Sequence, residues 1–282
     1  MANAHGAGTP VLRDPELRTI IELVYRQSGI TLNDGKRALI TARLQSRLRT
    51  LKLASYTDYL RLLERDSSGD ELVVLLDAIA TNHTSFFREH RHFELLSERV
   101  VPAWRERGGA QPLTGWSIPC SSGEEPVSIA ITLLEALTPA EQARVALLAS
   151  DLSTKVLRAG ERGIYGLERV KAVPPPLLRK YFERGQGAED GLVRVSASVR
   201  RLITYQRGNL LEIGDLGRRF EFIFCRNVMI YFDRRARQRA VSMLERHLAP
   251  GGYLFVGHVE TLNDLQHSLQ WVAPALLRRS QG

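Results

Sequence analysis

The stretch Phe220 to Phe232, FEFIFCRNVMIYF, limits what this chain can fold into more than any other segment. Phe222-Ile223-Phe224-Cys225 is apolar without alternation, the pattern of a strand buried on both faces. It breaks at once into Arg226 and Asn227, and apolar character returns with Tyr231 set among Val, Met, Ile and Phe. A guanidinium and a carboxamide at the end of a core strand are costly unless a ligand or partner meets them. In open α/β sheets, ligands lie at the carboxyl ends of strands. The segment therefore predicts a buried strand with a binding site at its end.

The rest of the chain supplies such a sheet. From residue 113 strands and helices alternate: strand 113–118, helix 124–137, strand 144–150, helix 154–161, strand 220–225, helix 234–248 and strand 253–257. Pro250-Gly251-Gly252 is read as the stop of the last helix. Such alternation predicts an α/β, doubly wound parallel sheet over 113–282. Residues 162–205 interrupt the rhythm. Pro174-Pro175-Pro176 opens a helix ending near Phe182, the Gly-rich RGQGAEDG follows, and Leu192–Val195 and Val199–Tyr205 look strand-like. An inserted helix with a small antiparallel sheet is expected there. Residues 14–81 differ again. Leu17, Ile20, Ile21, Val24 and Tyr25 recur at helical spacing up to Gly29, and Leu39, Ile40, Leu44, Leu48 and Leu51 continue the pattern through 33–53. Ser55 is a cap for a third helix, Leu72–Ala80 forms a fourth, and an all-α bundle is predicted. Residues 1–13 read as a disordered lead and 82–112 as a linker and connecting helix.

Composition narrows the class. The 282 residues are 44% hydrophobic and 25% charged, as in a soluble globular protein. No apolar run reaches membrane-spanning length, and MANAHGAGTP lacks the charged-then-apolar order of a signal peptide. Two cysteines in apolar settings, Cys120 and Cys225, predict a cytoplasmic, disulfide-free protein and are too few for a metal site. The net charge is +8. Residues 31–53 hold Lys36, Arg37, Arg43, Arg47, Arg49 and Lys52 against Asp34, a local +5 (six minus one). That run reads either as a face for an acidic partner or nucleic acid, or as a solvated helix surface.

Polar residues recur at the predicted strand ends. The loop Cys120-Ser121-Ser122-Gly123 joins a strand to a helix, and its small residues let a ligand approach the backbone. It is neither GxGxxG nor a P-loop. Glu124 and Glu125 at the helix start would repel phosphate and welcome an amine, or serve only as helix-dipole partners. Asp151 stands where nucleotide-binding sheets hold ribose hydroxyls, and equally where a helix is capped. Asn209 and Arg226-Asn227 mark two further ends. Four such ends on one edge suit a nucleoside-like ligand. The linker Thr81-Asn82-His83-Thr84-Ser85-Phe86-Phe87-Arg88 runs polar, aromatic, basic at a domain boundary, where ligands often bind.

Four segments, TNHTSFFRE, SSGEEPVSIA, FCRNVMIYFD and LAPGGYLFVGHVETL, together resemble the chemotaxis receptor glutamate O-methyltransferases, the CheR family, over roughly residues 14–278. The resemblance implies a helical N-terminal domain and a Rossmann-like S-adenosylmethionine domain carrying an inserted β-subdomain. It implies cofactor contacts from Asn82, Thr84, Arg88, Glu125 (with Glu124 as the alternative), Asp151, Asn209, Leu210, Arg226 and Asn227. Arg88 and Tyr231 would act on the acceptor side. Arg43 and Arg47 on the basic helix would meet the acidic helical region of chemoreceptors. Arg184, Gly185, Gly187 and Arg194 of the insert would hold a receptor C-terminal peptide. Pro119, Val127 and Val259-Glu260-Thr261 depart from the family pattern. A cytoplasmic monomer recruited to receptor arrays is expected, inserting into no membrane and binding no nucleic acid.

The chemistry is consistent with that resemblance. A glutamate carboxylate is ionised at neutral pH, so methylating it from a sulfonium requires neither a general base nor a metal. It requires an oxygen held in line at near-attack distance. A nucleic-acid methyltransferase would share the sheet and the basic surface. It usually carries Asn/Asp-Pro-Pro-aromatic after the fourth strand, where this chain has Arg226-Asn227-Val228-Met229, and the basic helix lacks interleaved aromatics. A receptor-binding module without activity is a further reading, opposed by the presence of Arg88, Asp151 and Tyr231.

Overall fold

The structure is a computed structural model that describes residues 10–32, 34–79, 83–109 and 111–281. The chain forms two compact units, Met1–Thr81 with Tyr231–Asp233, and Asn82–Ile230 with Arg234–Gly282.

The first unit holds helices α1 (Asp14–Ser28), α2 (Arg37–Leu51), α3 (Tyr56–Arg65) and α4 (Asp70–Ile79). Apolar residues at i, i+3/i+4 spacing make its core: Leu17, Ile20 and Val24 from α1 and Ile40, Leu44 and Leu48 from α2, all buried. Helix α1 stops at Gly29, whose left-handed φ of 72° lets its N–H close on the Tyr25 carbonyl. Ser55 caps α3 by accepting the Asp58 N–H. The Tyr231–Asp233 segment belongs to this unit. Thr31 N–H donates to the Tyr231 carbonyl at 2.8 Å, Ile30 bridges Phe232, and the Tyr25 hydroxyl donates to Asp233 at 2.6 Å.

The two arginines expected at a receptor surface are bonded inside this bundle. Arg43 donates to the carbonyls of Ala78 (3.1 Å) and Ile79 (2.7 Å), which a helix end leaves without intrahelical partners. Arg47 forks onto Glu71, with Nε to Oε1 at 2.9 Å and Nη2 to Oε2, and Glu71 is buried. Removing Arg47 strands that carboxylate. Arg47→Ala should lower stability by about 1–3 kcal/mol, and Arg47→Met with Glu71→Leu should recover most of it in urea unfolding.

The second unit begins with helical segments α5 (Arg91–Leu95) and α6 (Val101–Glu106), joined by a π-turn at Leu96–Val100. Next come β1 (Leu113–Ser117), α7 (Glu124–Ala136), α8 (Pro139–Gln142), β2 (Val145–Asp151) and α9 (Thr154–Arg162). The insert supplies β3 (Ile164–Gly166), α10 (Pro175–Tyr181), β4 (Phe182–Arg184) and β5 (Leu192–Val195). The chain then runs through α11 (Ala197–Arg200), β6 (Ile203–Arg207), β7 (Phe220–Phe224), α12 (Arg234–His247), β8 (Leu248–Phe255), β9 (Gln270–Ala273) and β10 (Leu276–Arg278). One seven-stranded sheet has the order β6-β2-β1-β7-β8-β10-β9, parallel from β6 to β8 and antiparallel at β10 and β9. Strand β7 lies at its centre, and Phe222, Ile223 and Phe224 are fully buried, as the unbroken apolar run requires.

Two sequence expectations change. The insert does not extend to residue 205. Its sheet is β3-β5-β4, and the stretch read as Val199–Tyr205 divides into α11 and β6, which pairs parallel with β2 on the main sheet. Leu202 and Ile203 are buried there, and a parallel neighbour to β2 needs a long crossover, which the insert provides. The last helix also ends sooner. Strand β8 already begins at Leu248 and carries Pro250-Gly251-Gly252 within it, with Gly251 at φ 73° and a register shift opposite Phe220 and Phe222.

Candidate active site

The carboxyl ends of β6, β2, β1 and β7 are neighbours on one edge of the sheet, and the polar residues read from the sequence collect there. Backbone bonds lock the ends together: Ile118 N–H to the Phe224 carbonyl (2.9 Å), Cys120 N–H to Ser150 (2.8 Å) and Gly208 N–H to Asp151 (3.0 Å).

Arg226, with a side chain 1% exposed, organises the β7 end. Its Nη1 donates to Glu125 at 2.9 Å, and its Nη2 meets the Arg88 carbonyl at 2.5 Å and Glu89 at 3.1 Å. Phe93 and Phe224 flank the guanidinium, each ring centroid 5.9 Å away. Burial pushes the Glu125 carboxyl up, and Arg226 and the Ser117 hydroxyl oppose it. At Glu89 burial acts in the same upward direction, but Arg226 and the Asn227 amide outweigh it and hold the pKa below the usual carboxylate range. Two acids on one guanidinium thus shift in opposite directions because Glu125 is the more desolvated.

Asn227 adopts φ 58°, the left-handed region. Its amide donates to Glu89 at 3.1 Å. Glu260, buried, accepts the N–H groups of Asn227 (3.0 Å), Val228 (2.9 Å), Met229 (2.7 Å) and Gly257 (2.6 Å). This carboxylate holds the turn that follows β7.

On the other side, Asp151 accepts the N–H of Ser121 (2.8 Å) and of Ser153 (3.0 Å), which fixes its carboxylate at the β2 end. Asn209 caps its own turn by accepting the Leu211 N–H at 3.0 Å, and Leu210 is buried beside it. The loop ahead of α7 needs Gly123. At φ 96°, a Cβ there would lie 2.7 Å from Gly160 Cα and 2.8 and 2.9 Å from the hydroxyls of Tyr205 and Tyr165. The two acids at the helix start separate in role. Glu124, fully buried, pairs with Arg169 and accepts from Ser122, whereas Glu125 accepts from Ser117 (2.7 Å) and Arg226. The Tyr165 hydroxyl donates to the Ser122 carbonyl at 2.8 Å, so the insert braces this loop.

Of the linker residues, Asn82 lies outside the described residues. Thr84 and Arg88 are half-buried, and Arg88 Nη1 donates to the His83 carbonyl at 2.8 Å. Phe86 sits edge-on to Tyr165 and Phe182, and the Phe87 N–H donates to Ser128 at 3.0 Å, so both aromatics anchor the segment. Tyr231 groups with the helical unit. In the insert, Arg194 pairs with Ile164 and Glu183, and Arg184 with Val193. Paired residues share a face and neighbours alternate, so Arg184 and Arg194 project from opposite faces. Gly185 donates its N–H to Leu192 at 3.0 Å, and Gly187 has φ 60°.

Residue-by-residue reading missed Glu89, Glu260, His92 and His258. Glu89 and Glu260 were visible only as acids inside quoted motifs, and no local spacing joins them to residues 225–229.

This donor set fits S-adenosylmethionine. Asp151 suits a ribose diol, Glu125 lies at the adjacent strand end for an ammonium group, and a loop of small residues ending in Gly123 borders both. Comparison with known proteins agrees. A family model described as CheR methyltransferase, all-alpha domain, matches residues 15–80, and one described as CheR methyltransferase, SAM binding domain, matches residues 82–275. A protein of Pseudomonas aeruginosa named chemotaxis protein methyltransferase 2 is 40% identical over 258 residues, covering 91% of this chain and 90% of that one. The chemotaxis protein methyltransferase of Salmonella typhimurium is 41% identical over 255 residues (90% and 86%), and that of Escherichia coli 40% over 256 (90% and 87%). The chain belongs to the CheR methyltransferase family, and is accordingly an S-adenosylmethionine-dependent methyltransferase of chemotaxis. Among the described residues, no helix is long and apolar enough to cross a membrane.

Glu260→Gln keeps the shape but turns an amide N–H₂ toward backbone donors. It should destabilise the protein by about 2–4 kcal/mol, seen in urea unfolding, and weaken S-adenosylhomocysteine binding measured by calorimetry.

Proposed function

We propose that the protein methylates glutamate side chains of chemoreceptors, forming methyl esters and S-adenosylhomocysteine for sensory adaptation. The observation that carries this is the strand-end constellation of Asp151, Glu125 and Arg226 in a chain whose relatives are chemotaxis methyltransferases. When bound, S-adenosylmethionine supplies a methyl group already activated on a sulfonium. The glutamate oxygen attacks in line, and the O–C bond forms as the C–S bond breaks. The bonding pair returns to sulfur, the carboxylate and sulfonium charges cancel, and no proton moves. Residues of this chain therefore have to bind, align and desolvate rather than move protons.

Asn82, Thr84, Arg88, Glu125, Asp151, Asn209, Leu210 and Asn227 are proposed to line the cofactor site. Arg226 acts there as a positioning residue, through Glu125 and Glu89. Arg88 and Tyr231 are proposed to orient the acceptor carboxylate by hydrogen bonds. Receptor contact is assigned to the basic helix α2, and a receptor C-terminal peptide to an edge of the β3-β5-β4 sheet by strand addition. Arg184 and Arg194, on opposite faces, would hold different parts of such a peptide. Recruitment of a cytoplasmic monomer to receptor arrays follows from this reading.

The deciding experiment is a methyl-transfer assay against receptor membranes, RNA and free glutamate. Base-labile label on receptor glutamates is expected; label on RNA instead would overturn the proposal. Tyr231→Phe should lower turnover about 10- to 100-fold with cofactor affinity within about threefold, and Arg88→Ala should lower both. Equal losses of binding and turnover in Tyr231→Phe would move that residue to the cofactor. Since Arg43 and Arg47 hold the bundle together, the clean test of α2 is charge reversal at exposed Lys36 and Arg49. Receptor methylation should fall in that variant while S-adenosylhomocysteine binding stays unchanged.

A further inference from the structure

We propose that Glu89, His92 and His258 form a site for one divalent transition-metal ion of the zinc type, distinct from the residues assigned to the cofactor. His92, in α5, is fully buried, and neither ring nitrogen has a hydrogen-bond partner. Its imidazole lies edge-on to Phe224 and Phe255, at centroid distances of 6.4 and 5.8 Å. A metal ion takes one imidazole nitrogen, and Nδ1, which faces the Glu89 carboxylate at 3.4 Å without a hydrogen bond, is the one placed for it.

The geometry suits coordination. Glu89 Oε2 lies 3.4 Å from His92 Nδ1 and 3.9 Å from His258 Nδ1, and one ligand atom from each residue falls within 4.8 Å of the others. Metal bonds of about 2.0–2.1 Å at tetrahedral angles place ligand atoms about 3.4 Å apart. Two imidazoles and a carboxylate form a three-ligand set that leaves a fourth position open. The His258 backbone N–H donates to the same Glu89 oxygen at 3.3 Å, which ties the half-exposed third ligand to the first. Two acids, Glu89 and Glu125, share one arginine, Arg226, a formal excess of one negative charge (two minus one) that a bound cation would offset.

Glu89 also serves Arg226 and Asn227, so an ion on its carboxylate competes with the bonds that order the β7 end. Occupancy therefore inhibits. The test titrates the full, tag-free chain with Co²⁺ and follows visible absorption. One equivalent should give the intense d–d bands of four- or five-coordinate cobalt, and Zn²⁺ should abolish them. His258→Ala, at an exposed position, should bind at least about tenfold more weakly. His92→Phe, which keeps a ring between Phe224 and Phe255, should lose the bands while near-UV circular dichroism shows it folded. Zn²⁺ should weaken S-adenosylhomocysteine binding in the parent protein and not in His258→Ala. No d–d band up to about 1 mM Co²⁺, only the weak spectrum of octahedral surface cobalt, or an undiminished band in His258→Ala would each overturn the site. Equal Zn²⁺ sensitivity of the parent and His258→Ala would overturn the inhibition.

Discussion

One buried guanidinium holds the polar edge of the sheet together. Arg226 sits at the end of the central strand with almost no exposure, and its donors reach two separate parts of the chain: Glu125 on α7, and Glu89 with the adjoining Arg88 carbonyl in the linker. Desolvating an arginine is expensive, and it persists only because opposite charge and hydrogen bonds surround it. The arrangement is brittle in one sense. Removing either acid strips a buried guanidinium nitrogen of its carboxylate partner. It is specific in another, because the first turn of α7 and the segment after Phe87 must both be in place to satisfy Arg226.

Glu260 does for backbone what Arg226 does for side chains. The turn after β7 presents successive N–H groups that no strand or helix accepts, and one carboxylate collects them. With Asn227 in the left-handed region, that turn would open without an anion to converge on. Together the two residues convert the end of a hydrophobic strand into a rigid polar rim. The methyl transfer proposed above moves no proton and so depends on alignment, which such a rim supplies.

Much of this was legible from residue order. The uninterrupted Phe222–Cys225 run marked the central strand because burial on both faces leaves no alternation. Gly29 and Ser55 marked helix ends because their backbone and side-chain chemistry is local. What escaped was set by distant partners. Val199–Tyr205 looks like part of a hairpin, but its second half pairs with β2, and pairing leaves little trace in local pattern. Arg43 and Arg47 look like surface charges until α4 supplies Glu71 and two open carbonyls. His92 carries no signal at all, since a lone histidine on an apolar helix face has the same sequence whether or not a second imidazole meets it from His258.

The insert begins after α9 and returns through α11 to β6, which is hydrogen-bonded to β2, the strand the chain left. Departure and return therefore lie on adjacent strands, and the register that sets Asp151 against Gly208 is fixed by those strands rather than by the length between them. For protein engineering this makes residues 164–195 an exchangeable cassette. A different segment could be spliced there, provided that it restores the brace from Tyr165 to Ser122, the aromatic packing of Tyr165 and Phe182 on Phe86 and a cation for Glu124. The same sheet could in that way carry a different surface with its strand order unchanged.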